Sequence, residues 1–490
     1  MLNIVLPKTM YAMDQATVEN QSITSLALMN RAGEAIFDKM LQDPLFKYAT
    51  NRLIIAGVGN NGGDALVIAK AVLERGMQCQ VSMFGNQNAL SDEAKTVLNE
   101  LPMSVLWNKL PNNIETCDVI VDGLFGIGLS RSLSSDFIEL INHMNRLNIP
   151  IYSLDIPSGL DAETGLAMPV ALKASKTYIV QLYKTGNLLN QAKDYHGEEI
   201  IVDVGIEYGY LKPEASLLNP ADFYRSIPIR KHYSHKYDYG NLLIYAYQTP
   251  MLGAALLAAK AALRGGTGLV KVLIDADLKT LIEPYDIVTE PIDNNAAIES
   301  LSSRYSAIVF GPGVGKEEKH TRNLEKLLKL RVPMIVDADG LFHLKKILST
   351  VDRKQPIILT PHQGEFERFC ELDKGSMYKD LFMHLKKYDD YNFVWLLKGP
   401  TTILYAKDKC LFSNHGHPAL ATAGTGDVLS GIISAFLAKH YDPYLATTYG
   451  LMFHSLAAQE QVSIYGEESM IASDLIEVFP KLFRLFKANE

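Results

Sequence analysis

Four cysteines in 490 residues, none spaced as CxxC, leave no zinc framework and fit a reducing compartment. Positive charge is also scarce: the net charge of -8 argues against non-specific binding to nucleic acid. An anionic ligand would therefore be held by local N–H groups and single lysines. No apolar run reaches membrane-spanning length, so a membrane partner is not expected. The opening residues, MLNIVLPKTMYAMDQ, carry only a short apolar patch and no small-residue cleavage site, and a cytoplasmic location is expected. What remains is 48% hydrophobic and 21% charged, enough for substantial cores with no sign of extended disorder. The length is too great for one core and calls for two domains or more.

From residue 51 onward, short apolar strands alternate with helical stretches: Leu53 to Ala56, Val81 to Phe84, Val119 to Val121, Ile151 to Leu154, Thr177 to Leu182 and Ile200 to Val204. Ahead of them, Leu26, Leu28, Met29, Ala32, Ile36 and Met40 fall near helical spacing. That rhythm predicts an α/β fold with a parallel sheet. Between Val204 and Tyr233 it lapses into an irregular stretch punctuated by Pro213, Pro220 and Pro228. The domain boundary is placed there, giving 1–219 and 220–490. The alternation restarts at Leu242 to Tyr245, followed by an apolar helix over Ala254 to Arg264 and strands at Leu269 to Ile274, Ile308 to Phe310, Met334 to Val336, Ile357 to Leu359 and Phe393 to Leu397.

In such sheets ligands gather at the carboxyl ends of the strands, and the unusual residues fall at those ends. In the first half they are GVGNNGGD at Gly57 to Asp64, DGLFGIGL at Asp122 to Leu129 and LDIPSGLD at Leu154 to Asp161. In the second half they are GPGVG at Gly311 to Gly315, DADG at Asp337 to Gly340, TPHQGEF at Thr360 to Phe366 and KGPTT at Lys398 to Thr402. Each could be a plain βα loop, since Asn, Gly and Asp are common turn formers, but their recurrence at successive strand ends argues for a site.

The stretch ATAGTGDVLSG, Ala421 to Gly431, runs from a small-residue loop into an apolar helix. Glycines at 424 and 426 let backbone N–H groups approach an anion, and the helix aims its positive end at the same point. Asp427 is an odd neighbour for an anion unless it takes a proton or binds a metal. The bland alternative is a first-turn helix residue favoured by the dipole.

Together NNGGD, DGLFGIGL, DIPSGLD, HKYDYG, GPGVG, VDADG, TPHQGEF, KGPTT and AGTGD resemble, in order and over nearly the whole chain, the bifunctional NAD(P)HX repair enzymes. The resemblance implies an N-terminal Rossmann-like three-layer epimerase domain and a C-terminal ribokinase-like, ADP-dependent dehydratase domain. It implies that Asn60, Asn61, Gly62, Gly63 and Asp64 contact the hydrated nucleotide (NADHX or NADPHX), and that Gly126, Ile127, Gly128, Leu129, Ser130, Arg131 and Ser132 hold its phosphates. Asn61, Asp122 and Ser158 become potassium ligands, as a hard cation wanting oxygen donors would choose, and Asp155 becomes the group closest to the chemistry. In the second domain it places Ala254, Gly313, His362 and Asp427 against the hydrated nucleotide, with Asp427 as base. Lys398, Gly399, Pro400, Thr401, Thr402 and Gly426 become the adenine-nucleotide contacts, with ADP accompanied by Mg2+. A homo-oligomer is expected on the same ground. The chain departs from the family at Ala246, Tyr247 and Gln248, where a glycine pair and serine are usual, and at His417, Ala419 and Ala423.

Two other readings stay open from the sequence. One is a small-molecule (vitamin) kinase of the same superfold with an appended ligand-binding domain. The other is a nucleotide-sensing protein whose second site has lost catalysis.

Overall fold

A computed structural model describes residues 2–209, 211–245, 251–274, 286–291, 305–352 and 354–488. The chain divides into two compact units, Leu2–Ser216 and Leu217–Glu490.

The N-terminal unit opens with strand β1 (Asn3–Val5), helix α1 (Pro7–Asn20) and helix α2 (Ser25–Met40). Proline at the first position of α1 sets the helical φ without losing a needed donor. Thr24 caps α2, its hydroxyl accepting from Ala27 N at 3.1 Å. Met29, Ala32, Ile36, Phe37 and Met40 of α2 are buried at helical spacing, as the sequence predicts. There follow β2 (Arg52–Ala56), α3 (Asn60–Glu74), β3 (Cys79–Met83), β4 (Leu106–Trp107), β5 (Val119–Gly123), β6 (Ile151–Leu154), β7 (Lys176–Val180), β8 (Tyr183–Lys184), β9 (Glu198–Val202) and β10 (Ala215–Leu217).

A seven-stranded sheet runs β4-β3-β2-β5-β6-β7-β9, with neighbours parallel. Strands β2, β5 and β6 are buried along their whole length, which explains their near-continuous apolar sequence. Strand order reverses between β2 and β5, the place where such sheets open a crevice at their carboxyl edge. Separately, β1 pairs parallel with β8 and antiparallel with β10. That ribbon was not anticipated, because strands of two or three residues carry no readable period.

The GVGNNGGD stretch reads as a turn leading to a helix at Ala65. Instead the helix begins at Asn60, so Gly62 and Gly63 lie inside its first turns. Packing selects them: a Cβ on Gly62 would stand 2.0 Å from the Gly57 carbonyl oxygen.

The C-terminal unit contributes β11 (Asn241–Tyr245), α4 (Leu252–Arg264), β12 (Leu269–Ile274), β13 (Val288–Pro291), β14 (Ala307–Phe310), β15 (Met334–Val336), β16 (Ile357–Leu359), β17 (Phe393–Leu397), β18 (Thr402–Ala406), β19 (Lys409–Ser413), α5 (Thr425–Ala438), α6 (Pro443–Tyr465) and α7 (Ala472–Phe486). Its sheet runs β13-β12-β11-β14-β15-β16-β17-β18-β19, parallel as far as β17 and antiparallel beyond. The β18–β19 hairpin was not foreseen. Helix α5 is buried on nearly every side, including Val428, Leu429, Ile432, Ile433, Phe436 and Leu437, which share one core with Ala258, Ala262, Met452 and Phe453. A helix apolar all round can only be a core helix, and its position fixes the loop that starts it.

Candidate functional site

At the carboxyl edge of the N-terminal sheet lies a cavity of about 620 Å3. Of the residues named from sequence, Asn60, Asn61, Asp64, Gly126, Ile127, Gly128, Leu129, Ser130, Arg131 and Asp155 line it. Gly62 and Gly63 lie buried in α3 just behind, and Ser132 is outside the lining.

Asp122 and Ser158 sit beneath the cavity, fully buried. Ser158 Oγ donates to Asp122 Oδ1 at 2.6 Å, Ser158 N donates to Oδ2 at 3.0 Å, and Ser153 Oγ donates to Oδ2 at 2.8 Å. Asn61 Nδ2 and Ser158 Oγ both reach the Phe125 carbonyl, at 2.9 and 3.1 Å. Burial raises the Asp122 carboxyl, against the pull of the Ser158 and Ser153 hydrogen bonds, and none of these partners is a cation. A buried carboxylate among hydroxyl, amide and carbonyl oxygens is a donor set that suits a hard monovalent cation. Phe125 adds a carbonyl oxygen that the sequence reading did not include.

Asp155 follows β6 with a positive φ of 62°, a conformation few non-glycine residues hold without support. The support is visible: Val180 N donates to its carboxylate at 3.0 Å, Asn187 Nδ2 donates to its carbonyl at 3.1 Å, and Lys184 Nζ donates to Oδ1. Lys184 is itself completely buried, and its Nζ also donates to the Val180 carbonyl at 2.9 Å. Tyr11 and Asp14 of α1 and Lys184 of β8 add polar groups to the lining, and sequence reasoning missed all three. Their signal was weak, since each sits in an ordinary-looking segment with no glycine cluster. Burial raises Asp64 well above the carboxylate range, with Asp155 and Asp14 adding to the rise and Lys184 opposing it.

In the C-terminal unit Gly424 caps α5 with φ of 89°, and Asp427 occupies the first turn. A Cβ at Gly424 would stand 2.6 Å from Leu257 Cδ1, so both the backbone angle and the space call for glycine. Burial pushes Asp427 up to about 6; nearby Asp337 adds to this and Lys398 opposes it. Lys398 Nζ lies 2.9 Å from Asp337 Oδ1, and Ser430 Oγ of α5 donates to Oδ2 at 2.7 Å. Burial works against the Asp337 charge, but Lys398, Ser430 and Thr360 together hold its carboxyl below the usual range. Lys398 is raised, since Asp337 and Glu365 outweigh its burial. His454 Nε2 donates to the Thr425 carbonyl at 2.9 Å, tying α6 to the start of α5.

The other named residues cluster around this turn unevenly. Lys398 N donates to the Pro361 carbonyl at 2.9 Å, which places the TPHQGEF and KGPTT turns side by side. A Cβ on Gly426 would lie 3.6 Å from Lys398 Nζ, and one on Gly399 would lie 2.9 Å from Tyr378 Oη. Thr401 is buried, Pro400 precedes it, and Thr402 opens β18. Gly313 packs on Met251 at the start of α4, near Ala254. The His362 ring works as a helix cap, where Nδ1 accepts from Gly364 N at 3.1 Å and Glu365 N at 3.3 Å at the start of the helix Gln363–Cys370, while the side chain stays 56% exposed. Ala246, Tyr247 and Gln248 lie outside the described residues. Among the described residues no group of three or more His, Cys, Asp or Glu could hold a metal ion, and no helix is long and apolar enough to cross a membrane.

Comparison with known proteins divides along the same line. Residues 25–186 match the family model described as YjeF-related protein N-terminus, and residues 242–481 match that described as NAD(P)H-hydrate dehydratase. A bifunctional NAD(P)H-hydrate repair enzyme from Coxiella burnetii is 30% identical over 482 residues, covering 96% of each chain. One from Escherichia coli is 30% identical over 469 residues, covering 94% of this chain and 90% of its own. A ribokinase-like superfamily protein from Enterococcus faecalis superposes with a TM-score of 0.50 at 20% identity, covering 56% of this chain and 98% of its own, a likeness of fold. With full-length relatives at this identity and one family model within each unit, the chain belongs to the family of bifunctional NAD(P)H-hydrate repair enzymes.

Proposed function

We propose that the N-terminal unit interconverts the (R) and (S) hydrates of NADH and NADPH, and that the C-terminal unit dehydrates the (S) form at the expense of ADP, releasing AMP and phosphate. Family membership over both units carries this reading. The two sites supply chemistry suited to each half.

In the first unit the cavity holds the nicotinamide end, with Asp155 as the proton-handling group and the Gly126–Ser132 loop around the phosphates. Lys184 and Val180 N keep Asp155 oriented. Asn61, Phe125, Asp122 and Ser158 would hold potassium, whose charge would offset the buried carboxylate and the anionic ligand.

In the second unit the C6 hydroxyl of the substrate, deprotonated by Asp427, attacks the terminal phosphoryl group of ADP; the phosphorylated oxygen then leaves as phosphate and restores the dihydropyridine. A carboxyl near 6 is suited to taking and returning a proton close to neutral pH. The N–H groups of Gly424 to Gly426 and the Lys398 ammonium stabilise the charge on the moving group. Mg2+ would arrive with the nucleotide phosphates and neutralise part of their charge. Lys398 to Thr402 and Gly426 take the nucleotide, and Ala254 and Gly313 flank the hydrated ring. His362, whose ring caps a helix and whose Nε2 lies 3.4 Å from Glu365 Oε1, contributes the exposed part of its side chain. Four free cysteines support a cytoplasmic setting; a homo-oligomer is proposed from the resemblance alone.

The test is one assay: both hydrate epimers, with and without ADP. Consumption of both, with NADH, AMP and phosphate produced only when ADP is present, is expected. A phosphorylated vitamin in place of NADH would favour the kinase reading, and ADP binding without turnover would favour the sensor.

A further inference from the structure

Moving a hydroxyl from one face of a ring to the other requires a proton given as it leaves and a proton taken as it returns. The epimerase reading supplies one group for that work, Asp155. The cavity holds another that no motif marks: Asp14, on α1, upstream of the 25–186 segment matched by the family model.

Asp14 and Asp155 line one cavity from separate elements, a helix and a strand end. Their surroundings differ. Asp155 accepts hydrogen bonds from Lys184 Nζ and Val180 N. Asp14 is faced by Tyr11 on its own helix, Asp64 on α3, Asp155 after β6 and Lys184 on β8, with Arg131 in the same lining. Arg131 is exposed, so the one buried lysine among three carboxyls leaves the group short of positive charge, all the more beside an anionic dinucleotide. Two carboxyls in one cavity with different hydrogen-bond partners are a common basis for an acid and a base at one site.

We propose that Asp14 is the second acid–base group of this cavity, acting in concert with Asp155, an inference that rests on the epimerase reading. Burial pushes Asp14 up to about 6, with Lys184 pulling it down and Asp155 adding to the rise, so it carries a proton far closer to neutral pH than a free carboxyl does. The Asp14 acid gives its proton to the C6 hydroxyl. The C6–O bond breaks with its electron pair on oxygen, water forms, and the ring nitrogen lone pair makes a C=N bond. Water then adds to C6 from the other face, the C=N pair returns to nitrogen, and the surplus proton passes to the Asp155 carboxylate. Nothing is oxidised or reduced, and the reverse reaction starts with the two protonation states exchanged.

Both directions then use singly protonated enzyme, so epimerisation kcat/KM should fall tenfold per pH unit above about 6 in the free enzyme. In the full-length protein, Asp14→Asn should lose epimerisation by about 100-fold or more, while ADP-dependent dehydration of the (S) hydrate stays at the wild-type rate. Asp14→Glu should keep part of the activity, with an alkaline fall moved away from its wild-type position. Product formed in 18O-water should carry the label at C6. A wild-type epimerisation rate in Asp14→Asn, or the same alkaline fall in that variant's residual activity, overturns the inference. Should Asp14→Asn unfold the N-terminal unit, the Asp14→Glu profile decides, since a purely structural role would leave its alkaline fall at the wild-type position. A wild-type protein that epimerises neither hydrate would instead bring down the epimerase reading itself.

Discussion

Each unit places a buried lysine–aspartate pair at a strand end, but the two pairs face opposite ways. In the N-terminal unit the Lys184 side chain is 0% exposed and that of Asp155 is 11% exposed; in the C-terminal unit Lys398 is 23% and Asp337 3% exposed. The first site presents a carboxylate backed by a hidden ammonium. The second presents an ammonium backed by a hidden carboxylate, at the amino end of a core helix. A carboxylate lining a cavity suits proton traffic on a ring, whereas an ammonium beside helix N–H groups suits a migrating phosphoryl group. Near each pair stands a further carboxyl pushed up to about 6, Asp14 in one and Asp427 in the other. The same electrostatic device thus serves two chemistries, according to which partner is turned outward.

Removing the proton carrier of one site should leave the other site working. Asp427→Asn should lower ADP-dependent dehydration by about 10²–10⁴-fold and leave epimerisation intact, as measured in one coupled assay. Asp155→Asn should do the reverse, and loss of both activities in either variant would show that the sites are not independent. A second probe strands the hidden partner. Lys398→Met strands the Asp337 carboxylate and should cost the C-terminal unit about 3–5 kcal/mol in denaturant unfolding, along with dehydratase turnover. Adding Asp337→Asn should recover much of the stability and none of the activity.

Exchange of potassium for a larger organic cation tests the buried oxygen set. Epimerisation should decline, dehydration should hold, and Asp122→Asn should blunt the dependence. The smallest effect concerns stability. A carboxyl raised to about 6 from an ordinary value of 3.8 favours the folded state fully only below pH 3.8, and that contribution is lost as pH rises through 6. Asp14→Asn and Asp427→Asn should therefore each raise Tm at pH 7.5 by about 2–4 °C, the gain vanishing near pH 4 in scanning calorimetry. A gain independent of pH would mean that packing, not charge, is responsible.

Local pattern was enough to determine the two α/β halves, most strands to within two residues, and the glycine-rich stretches at their ends. Those features depend on near neighbours in the chain: apolar runs for strands buried on both faces, and glycine where a backbone must come close. It also singled out Asp155, Asp427 and Lys398, because each lies inside such a stretch. Tertiary structure alone decided what surrounds them. Lys184 meets Asp155 across 29 positions, and Ser430 meets Asp337 across 93. Asp14 joins its cavity from a helix that precedes the sheet altogether. The NNGGD glycines lie inside a helix, where a side chain would meet the Gly57 carbonyl at Gly62 and the Met29 side chain at Gly63. Burial and pairing set whether a carboxyl keeps its proton, and both are properties of the folded surroundings, so no motif could have told Asp14 from any other surface-helix aspartate.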